Sequence, residues 1–219
     1  MKITAPQLQQ IVPMPFAQSE TLCAAINGAA PLYDINTPLR MAAFLSQAAH
    51  ESQNFQKKTE NLNYTPANLI LTFKYYARNP RLAARHGRIT GKQAADQQAI
   101  ANTVYADKNR DADRKLGNKE DGDGWLYRGF GHLQATGKDI AIAYAKFKGM
   151  DVRELVSLCR TSEAYAVDSA MWVFAKYKSL NDEADKGQII TISKRIAGSE
   201  MGLKEREALY SKAKKALIG

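Results

Sequence analysis

The sequence is short of cysteine. Only Cys23 and Cys159 occur in 219 residues, and neither has a second cysteine at CxxC spacing. That excludes a disulfide framework, and buried thiols are the expectation. Long apolar runs are also missing. No stretch approaches the roughly 18 consecutive apolar residues of a membrane span. The N-terminal MKITAPQLQQIVPMPF has no apolar core segment and is broken by glutamines, so it does not read as a secretory signal. Synthesis in a cytoplasm, and initial residence there, is the expectation. Acid is the scarcer charge: 22 Asp and Glu face 31 Lys and Arg, a net charge of +9. Such a surface favours polyanions: nucleic acid, anionic lipid or an anionic wall polymer.

What is present is mostly helical pattern. Residues 5–12 place Leu8, Ile11 and Val12 on one face. Thr37 and Pro38 form an N-cap and first turn, and apolar periodicity then runs to about Phe55. Thr65-Pro66 opens a second such helix over 66–77. Helices are also predicted over 91–105, 138–148, 162–178, 187–197 and 202–217. In the 162–178 segment, Ala166, Val167, Ala170, Met171, Phe174 and Tyr177 are the expected core face. The polar run 107–124 reads as a long loop. Strand patterns are scarce, so the fold class is mainly α, with at most a short β-hairpin around Tyr127–Gln134. No repeat or linker divides the chain. One catalytic domain over 1–219 is expected, with residues 1–36 packed on it and no separate wall-binding module.

Several motifs fail on inspection. His50-Glu51 begins like a zinc-protease HExxH, but the second histidine is replaced by Asn54. His86 and His132 are isolated in sequence. An EF-hand starting at Asp107 would need Gly and Glu where Ala112 and Asn118 stand. No Walker loop occurs, and Gly129-Phe130-Gly131 lacks the third glycine of a dinucleotide fingerprint. No metal is assigned. The basic C-terminal LKEREALYSKAKKALIG has two readings. It packs Leu203, Leu209 or Tyr210, Ala213 and Leu217 on the core, or it docks on an anionic outer-membrane surface. Amphipathic surface helices are ordinary, which favours packing.

Two carboxylates bracket AHESQNFQKKTENLNY. On one helix, Glu51 and Glu60 would lie nine residues and roughly 900° apart, facing opposite ways. They converge only if the helix ends between them. A convergent pair is the minimum apparatus for glycosidic hydrolysis: one acid protonates the leaving oxygen, and one base activates water. Downstream lies GDGWLYRGFGHLQATG. Trp125 and Tyr127 either stack on sugar rings or line the core. In an extended segment Gln134 and Thr136 would share a face, an amide and a hydroxyl suited to sugar hydroxyls and a positioned water.

These blocks resemble glycoside hydrolase family 19, the chitinase-type family that includes many phage endolysins and prophage lysozymes. The resemblance is carried by Ala49-His50-Glu51-Ser52, Glu60-Asn61-Leu62-Asn63-Tyr64, Gly122 to Gly137, and Ile196-Ala197-Gly198 to Arg206. It spans about residues 37–212. It implies an α-rich, lysozyme-like fold with a cleft between two lobes and an inverting mechanism without cofactor. It makes Glu51 the general acid and Glu60 the general base, with Thr136 holding the attacking water. It gives Gln134 a substrate contact, and it places Asn63 and Tyr64 in the loop beside the base. Arg206 supports the acid, His50 stands next to it, and Glu200 is a further candidate there. Two departures are visible: Phe130 replaces an arginine, and Ala197 replaces an asparagine that contacts sugar in relatives.

The chain is similar to the short, disulfide-poor phage members of that family. The resemblance thus implies murein glycan strands as the partner, a monomer, and no nucleic acid. It also implies production in a bacterial host and release to the periplasmic wall through a holin-type lesion. A chitinase is the nearest alternative. A non-catalytic glycan-binding or nucleic-acid-binding basic protein is the alternative of another class, but no nucleic-acid motif is present.

Overall fold

A computed structural model describes all residues, 1–219. It is mainly helical, with fourteen α-helices and no strand; two isolated bridges pair Ile89 with Gln93 and Phe130 with Ala135. The hairpin allowed for around Tyr127–Gln134 is reduced to the single antiparallel Phe130–Ala135 bridge. Gly131 and Gln134 are left-handed, at φ 67° and 48°, so 130–135 is a tight turn. Phe130 and Ala135 exchange two backbone hydrogen bonds of 3.0 Å across it. The extended alternation expected to put Gln134 and Thr136 on one face therefore does not exist.

The chain divides into two compact units. The first comprises Met1–Lys58, Phe130–Ala135 and Ser157–Gly219. Its helices are α1 (Ala5–Ile11), α2 (Phe16–Ala29), α3 (Pro38–Glu51), α11 (Glu163–Trp172), α12 (Asn181–Asp185), α13 (Ile189–Ala197) and α14 (Leu203–Ile218). At its centre is α3, in which every residue from Met41 to Ala49 is buried. A helix buried on all sides needs small residues where neighbours approach. Ala42, Ala43, Ala48 and Ala49 supply them against α12, α13 and α14. Elsewhere in this unit α2 packs on α1 and α11, and α1 packs on α14.

Helix α3 begins as its sequence indicates, with the Thr37 hydroxyl accepting from the Arg40 N–H at 3.2 Å. It ends earlier than the apolar pattern predicts, at Glu51 rather than Phe55. The Ser52 hydroxyl turns back to the Ala48 carbonyl at 2.6 Å and accepts the Phe55 N–H at 2.9 Å. Gln53, Asn54 and Phe55 are then all left-handed, with φ between 51° and 62°. Each such non-glycine residue costs about 1–2 kcal/mol. Backbone bonds from Asn54 to Ala49 (2.7 Å) and from Lys57 to Ser52 (2.8 Å), with burial of Phe55, offset that cost.

Other boundaries also move. Helix α2 carries no clear periodic signal and was not expected, nor was α12. The expected 162–178 helix becomes α11 followed by a wider π turn over Val173–Tyr177. The wider turn rotates Tyr177 off the expected core face, and it is 52% exposed. The C-terminal helix packs inward on Tyr210 and Ala213. Cys23 and Cys159 are buried thiols, not joined in a disulfide.

The second unit comprises Thr59–Gly129 and Thr136–Val156. It holds α4 (Pro66–Thr72), α5 (Lys74–Arg78), α6 (Pro80–His86), α7 (Gln97–Val104), α8 (Asp123–Leu126) and α9 (Lys138–Lys148); the chain leaves it within α10 (Val152–Thr161). Its core is Leu62, Leu69, Tyr76, Ala83, Ile100, Ala101 and Val104. The single helix expected over 66–77 breaks at extended Phe73, and α6 was not expected. Residues 91–96 are not helical, since Asp96 caps α7 by accepting from the Ala99 N–H at 2.9 Å. The polar 107–124 run is anchored, not solvated throughout. Asp107 accepts the Leu116 N–H at 2.8 Å, and Asn118 bridges the Tyr105 carbonyl (3.0 Å) and the Lys138 N–H (2.9 Å).

Close approach of α7 and α8 depends on Gly124. A Cβ there would lie 2.4 Å from the Ala101 carbonyl oxygen and 2.7 Å from the Asn102 Cα. Gly124→Ala should therefore destabilise the protein by about 1–3 kcal/mol. Gly28→Ala, at a helix position with open space around it, should stabilise it by about 0.5–1 kcal/mol. Calorimetric melting of the two variants should show shifts of opposite sign.

Candidate active site

Glu51 is the last residue of α3, and its side chain is bound by a buried arginine. Arg206 is 2% exposed and its Nη2 donates to Glu51 Oε1. Its Nη1 donates to Gln47 Oε1 at 2.6 Å, and Gln47 in turn donates to the Ser193 hydroxyl at 3.0 Å. Gln47 is one helical turn before Glu51, so both face the guanidinium from α3. The network thus ties α3, α13 and α14 to one carboxylate. Gly202 sets the entry to α14: it is left-handed at φ 70°, and a Cβ there would lie 2.4 Å from His50 Nε2. Burial first, then the Arg206 charge, lowers the pKa of His50. His50 is thereby kept as a neutral imidazole beside Glu51. Glu200, the other candidate, is a correction: it pairs with Lys194 at 2.7 Å, 72% exposed, and makes no bond to Glu51.

Glu60 lies in the second unit and is held differently. The Tyr105 hydroxyl donates to its Oε1, and the Gly129 N–H donates to Oε2 at 3.2 Å. The Glu60 N–H returns a bond to the Gly129 carbonyl, also at 3.2 Å. Burial first, and then the Glu60 charge, pushes the Tyr105 phenol far above its ordinary value. Tyr105 is therefore a permanent donor. Tyr64 is half-buried beside the same carboxylate, packed edge-on against Phe73, and burial followed by Glu60 raises its phenol too. Asn63 is exposed, its N–H bonded to Asn61 Oδ1 at 3.0 Å.

The remaining predicted residues separate. Trp125 is half-buried, with the Arg128 guanidinium 3.4 Å from its ring centre. That leaves it an amphipathic edge residue. Tyr127 is 2% exposed and lines the core, so its stacking role falls. Gln134 belongs to the first unit and its Nε2 donates to the Gly131 carbonyl at 2.8 Å; half-buried Thr136 belongs to the second unit. Phe130, at the family's arginine position, is buried.

Sequence reasoning missed three groups. Tyr105 has no motif to mark it. Gln47 leaves a faint signal, a lone amide among alanines one turn before Glu51. His132, isolated in sequence, is fully buried. Its Nε2 meets Glu163 Oε1 at 2.5 Å, and Glu163 Oε2 meets Lys58 Nζ at 2.9 Å.

No protein-family model matches the chain. A Haemophilus influenzae protein described as "Glycosyl hydrolase family 19 domain-containing protein" is 34% identical over 172 residues, which is 78% of this chain and 77% of the relative. The chain belongs to glycoside hydrolase family 19. It is accordingly a chitinase-like glycosidase. Among solved structures it is similar to chitinase C from Streptomyces griseus HUT6037, at a TM-score of 0.63 and 14% identity, over 99% of this chain and 92% of that one. It is also similar to a bacterial family 19 chitinase, at a TM-score of 0.60 and 16% identity, over 98% and 94%. At those identities the likeness establishes the family 19 fold, not the substrate.

Two stability predictions follow from these charges. Arg206→Met leaves Glu51 and buried Gln47 without their donor and should cost about 3 kcal/mol. Lys194→Met, which breaks the exposed pair with Glu200, should change stability by less than about 0.5 kcal/mol. Equilibrium urea unfolding of both variants measures the contrast. For Glu163, burial opposes ionisation, but the bonds and charges of His132 and Lys58 outweigh it, and its carboxyl titrates below the ordinary value of 4.5. A depressed carboxyl stabilises the fold above its unfolded pKa and loses that contribution as pH falls through the folded one. Wild type should therefore melt higher than Glu163→Gln at pH 6, and the gap should close as pH drops below 4.5.

Proposed function

We propose that this family 19 chain is a murein glycosidase. It hydrolyses the β-1,4 bond between N-acetylated sugars of peptidoglycan by an inverting single displacement, and it serves as an endolysin for host cell lysis. One observation carries the reading: each of the two family carboxylates is fixed by dedicated partners, Glu51 by the buried Arg206 guanidinium and Glu60 by the Tyr105 hydroxyl and the Gly129 N–H.

Glu51 is the acid. Arg206 holds Oε1, which fixes the carboxyl plane and leaves Oε2 to carry the proton to the leaving oxygen. His50, kept neutral by burial, adds no second cation. Glu60 is the base. Its two oxygens are each fixed by one donor, Tyr105 and the Gly129 N–H. A carboxylate has about four acceptor sites, so lone pairs remain to take a proton from water. Thr136 orients that water. Gln134, Asn63, Tyr64 and Trp125 are the proposed sugar contacts. An inverting enzyme needs roughly 6.5–9.5 Å between its carboxyl groups, room for the attacking water.

Murein is favoured over chitin by the net charge of +9, which suits an anionic wall. Action on the periplasmic wall after holin-type release, as a monomer, belongs to the same reading.

The test is product analysis. Wild type, Glu51→Gln and Glu60→Gln are incubated with Gram-negative sacculi and with chitin oligomers, and products are read by mass spectrometry. Muropeptide release by wild type is expected, with each variant slower by about 10²–10⁴-fold. Proton NMR should show the α-anomer forming first. Chitin cleavage without muropeptide release would make the chain a chitinase. Undiminished activity in either variant would remove that carboxylate from the mechanism.

A further inference from the structure

The positive charge of the chain is unevenly placed. Residues 61–95 contain no Asp or Glu, yet carry Lys74, Arg78, Arg81, Arg85, Arg88 and Lys92. Much of this charge belongs to α5 and α6. Lys74 and Arg78 are four residues apart on α5, and Arg81 and Arg85 are four apart on α6, so each pair projects from one helical face.

A cavity of about 230 Å³ opens beside α5. Its cationic lining is Lys74, Arg78, Arg110 and Arg114, and its one carboxylate is Asp111. Asp111 pairs with Lys74 at 3.3 Å, and both are exposed. Arg78 and Arg114 are exposed and in no ion pair. Arg78 also lines a second, open cavity with Arg81 and Arg85. Arg78 is thus common to the positive walls of both cavities.

Arg110 links this wall to the candidate base. Its guanidinium is fixed by bonds to the Arg114 carbonyl at 2.6 Å and the Val104 carbonyl at 3.1 Å. Its charge also acts on the Tyr105 phenol, the donor that holds Glu60. The positive cavity and the Glu60 carboxylate are thus neighbours within one unit. A neutral sugar polymer gains nothing from four cations there. A glycan strand whose peptide stems end in carboxylates would gain charge-assisted, bidentate bonds to guanidinium groups.

We propose that the Lys74, Arg78, Arg110 and Arg114 cavity binds a peptide-stem carboxylate of the glycan strand and selects peptide-bearing over peptide-free substrate. This rests on the murein glycosidase reading above and adds a binding site to it. The site takes a carboxylate ligand, and Arg78 and Arg114 are its free donors, while Arg110 is the oriented bridge to Tyr105.

The experiment compares two soluble substrates of equal length: glycan strands carrying their peptide stems, and the same strands after amidase removal of the peptides. Wild type, Arg78→Ala, Arg114→Ala and the exposed control Lys186→Ala, from the other unit, are assayed for kcat and KM on both. A lost charge-assisted bond corresponds to about tenfold in affinity. Each arginine variant should therefore lower the ratio of kcat/KM on peptide-bearing to peptide-free strands by about tenfold, chiefly through KM. Lys186→Ala should leave the ratio alone. As a readout independent of turnover, Glu51→Gln should bind a purified muropeptide in calorimetry. Adding Arg78→Ala to it should weaken that binding by a similar factor, and the difference should shrink at high salt.

An unchanged ratio in both arginine variants, with wild type active on murein, overturns the cavity assignment and leaves the murein reading intact. Equal loss on both substrates overturns it too, since that result reports a structural role. Wild type inactive on both strand types removes the murein reading and this one with it.

Discussion

A buried arginine needs its partners fixed in advance, and Arg206 imposes that demand on the first unit through its two terminal nitrogens. Removing a guanidinium from water is costly unless its partners are fixed in advance. Glu51 and Gln47 answer from successive turns of α3, and Ser193 holds Gln47 from α13. Three helices therefore must arrive in register before the charge can be enclosed. The same bonds that hold the Arg206 terminal nitrogens decide where the Glu51 carboxyl points. Stability and positioning of the candidate acid are one arrangement here, not two.

Glu60 depends on a different device. Its position comes from pairing with the Gly129 backbone and from a phenol that burial keeps protonated. Neither partner is charged. One family carboxylate is thus fixed by a cation and the other by neutral donors. The positive cavity beside α5 lies in the same unit, and the charge of Arg110, one of its lining residues, is felt at the same phenol.

Much of this was legible from residue order. Thr37-Pro38 and Thr65-Pro66 start helices because their caps and proline φ are local properties, and both do so in the fold. The family blocks pointed to Glu51, Glu60 and Arg206, and the fold sets each of them among specific partners. What escaped depends on tertiary contacts or on local backbone states. The end of α3 escaped because apolar spacing continues through Phe55, while a serine hydroxyl and three left-handed residues stop the helix. Tyr127 was ambiguous because an aromatic beside glycines suits sugar or core equally, and only packing decides. Gln134 and Thr136 failed as a pair because alternation presumes extended backbone, which Gly131 and Gln134 do not have. Glu200 was near Arg206 in sequence, but Lys194 took it first.

The turn after Glu51 has a consequence for how such a chain can change. Gln53, Asn54 and Phe55 occupy a conformation that glycine would adopt without strain. Evolution toward greater stability has an obvious route there, since a glycine at 53 or 54 would relieve the folded state. The same glycine would loosen the only segment joining the end of α3 to Lys58 and the residues before Glu60. Retaining side chains in a costly geometry keeps that segment stiff. Relief of strain and stiffness of the segment therefore pull in opposite directions at these positions, a conflict expressed in backbone torsion and not in any side-chain contact.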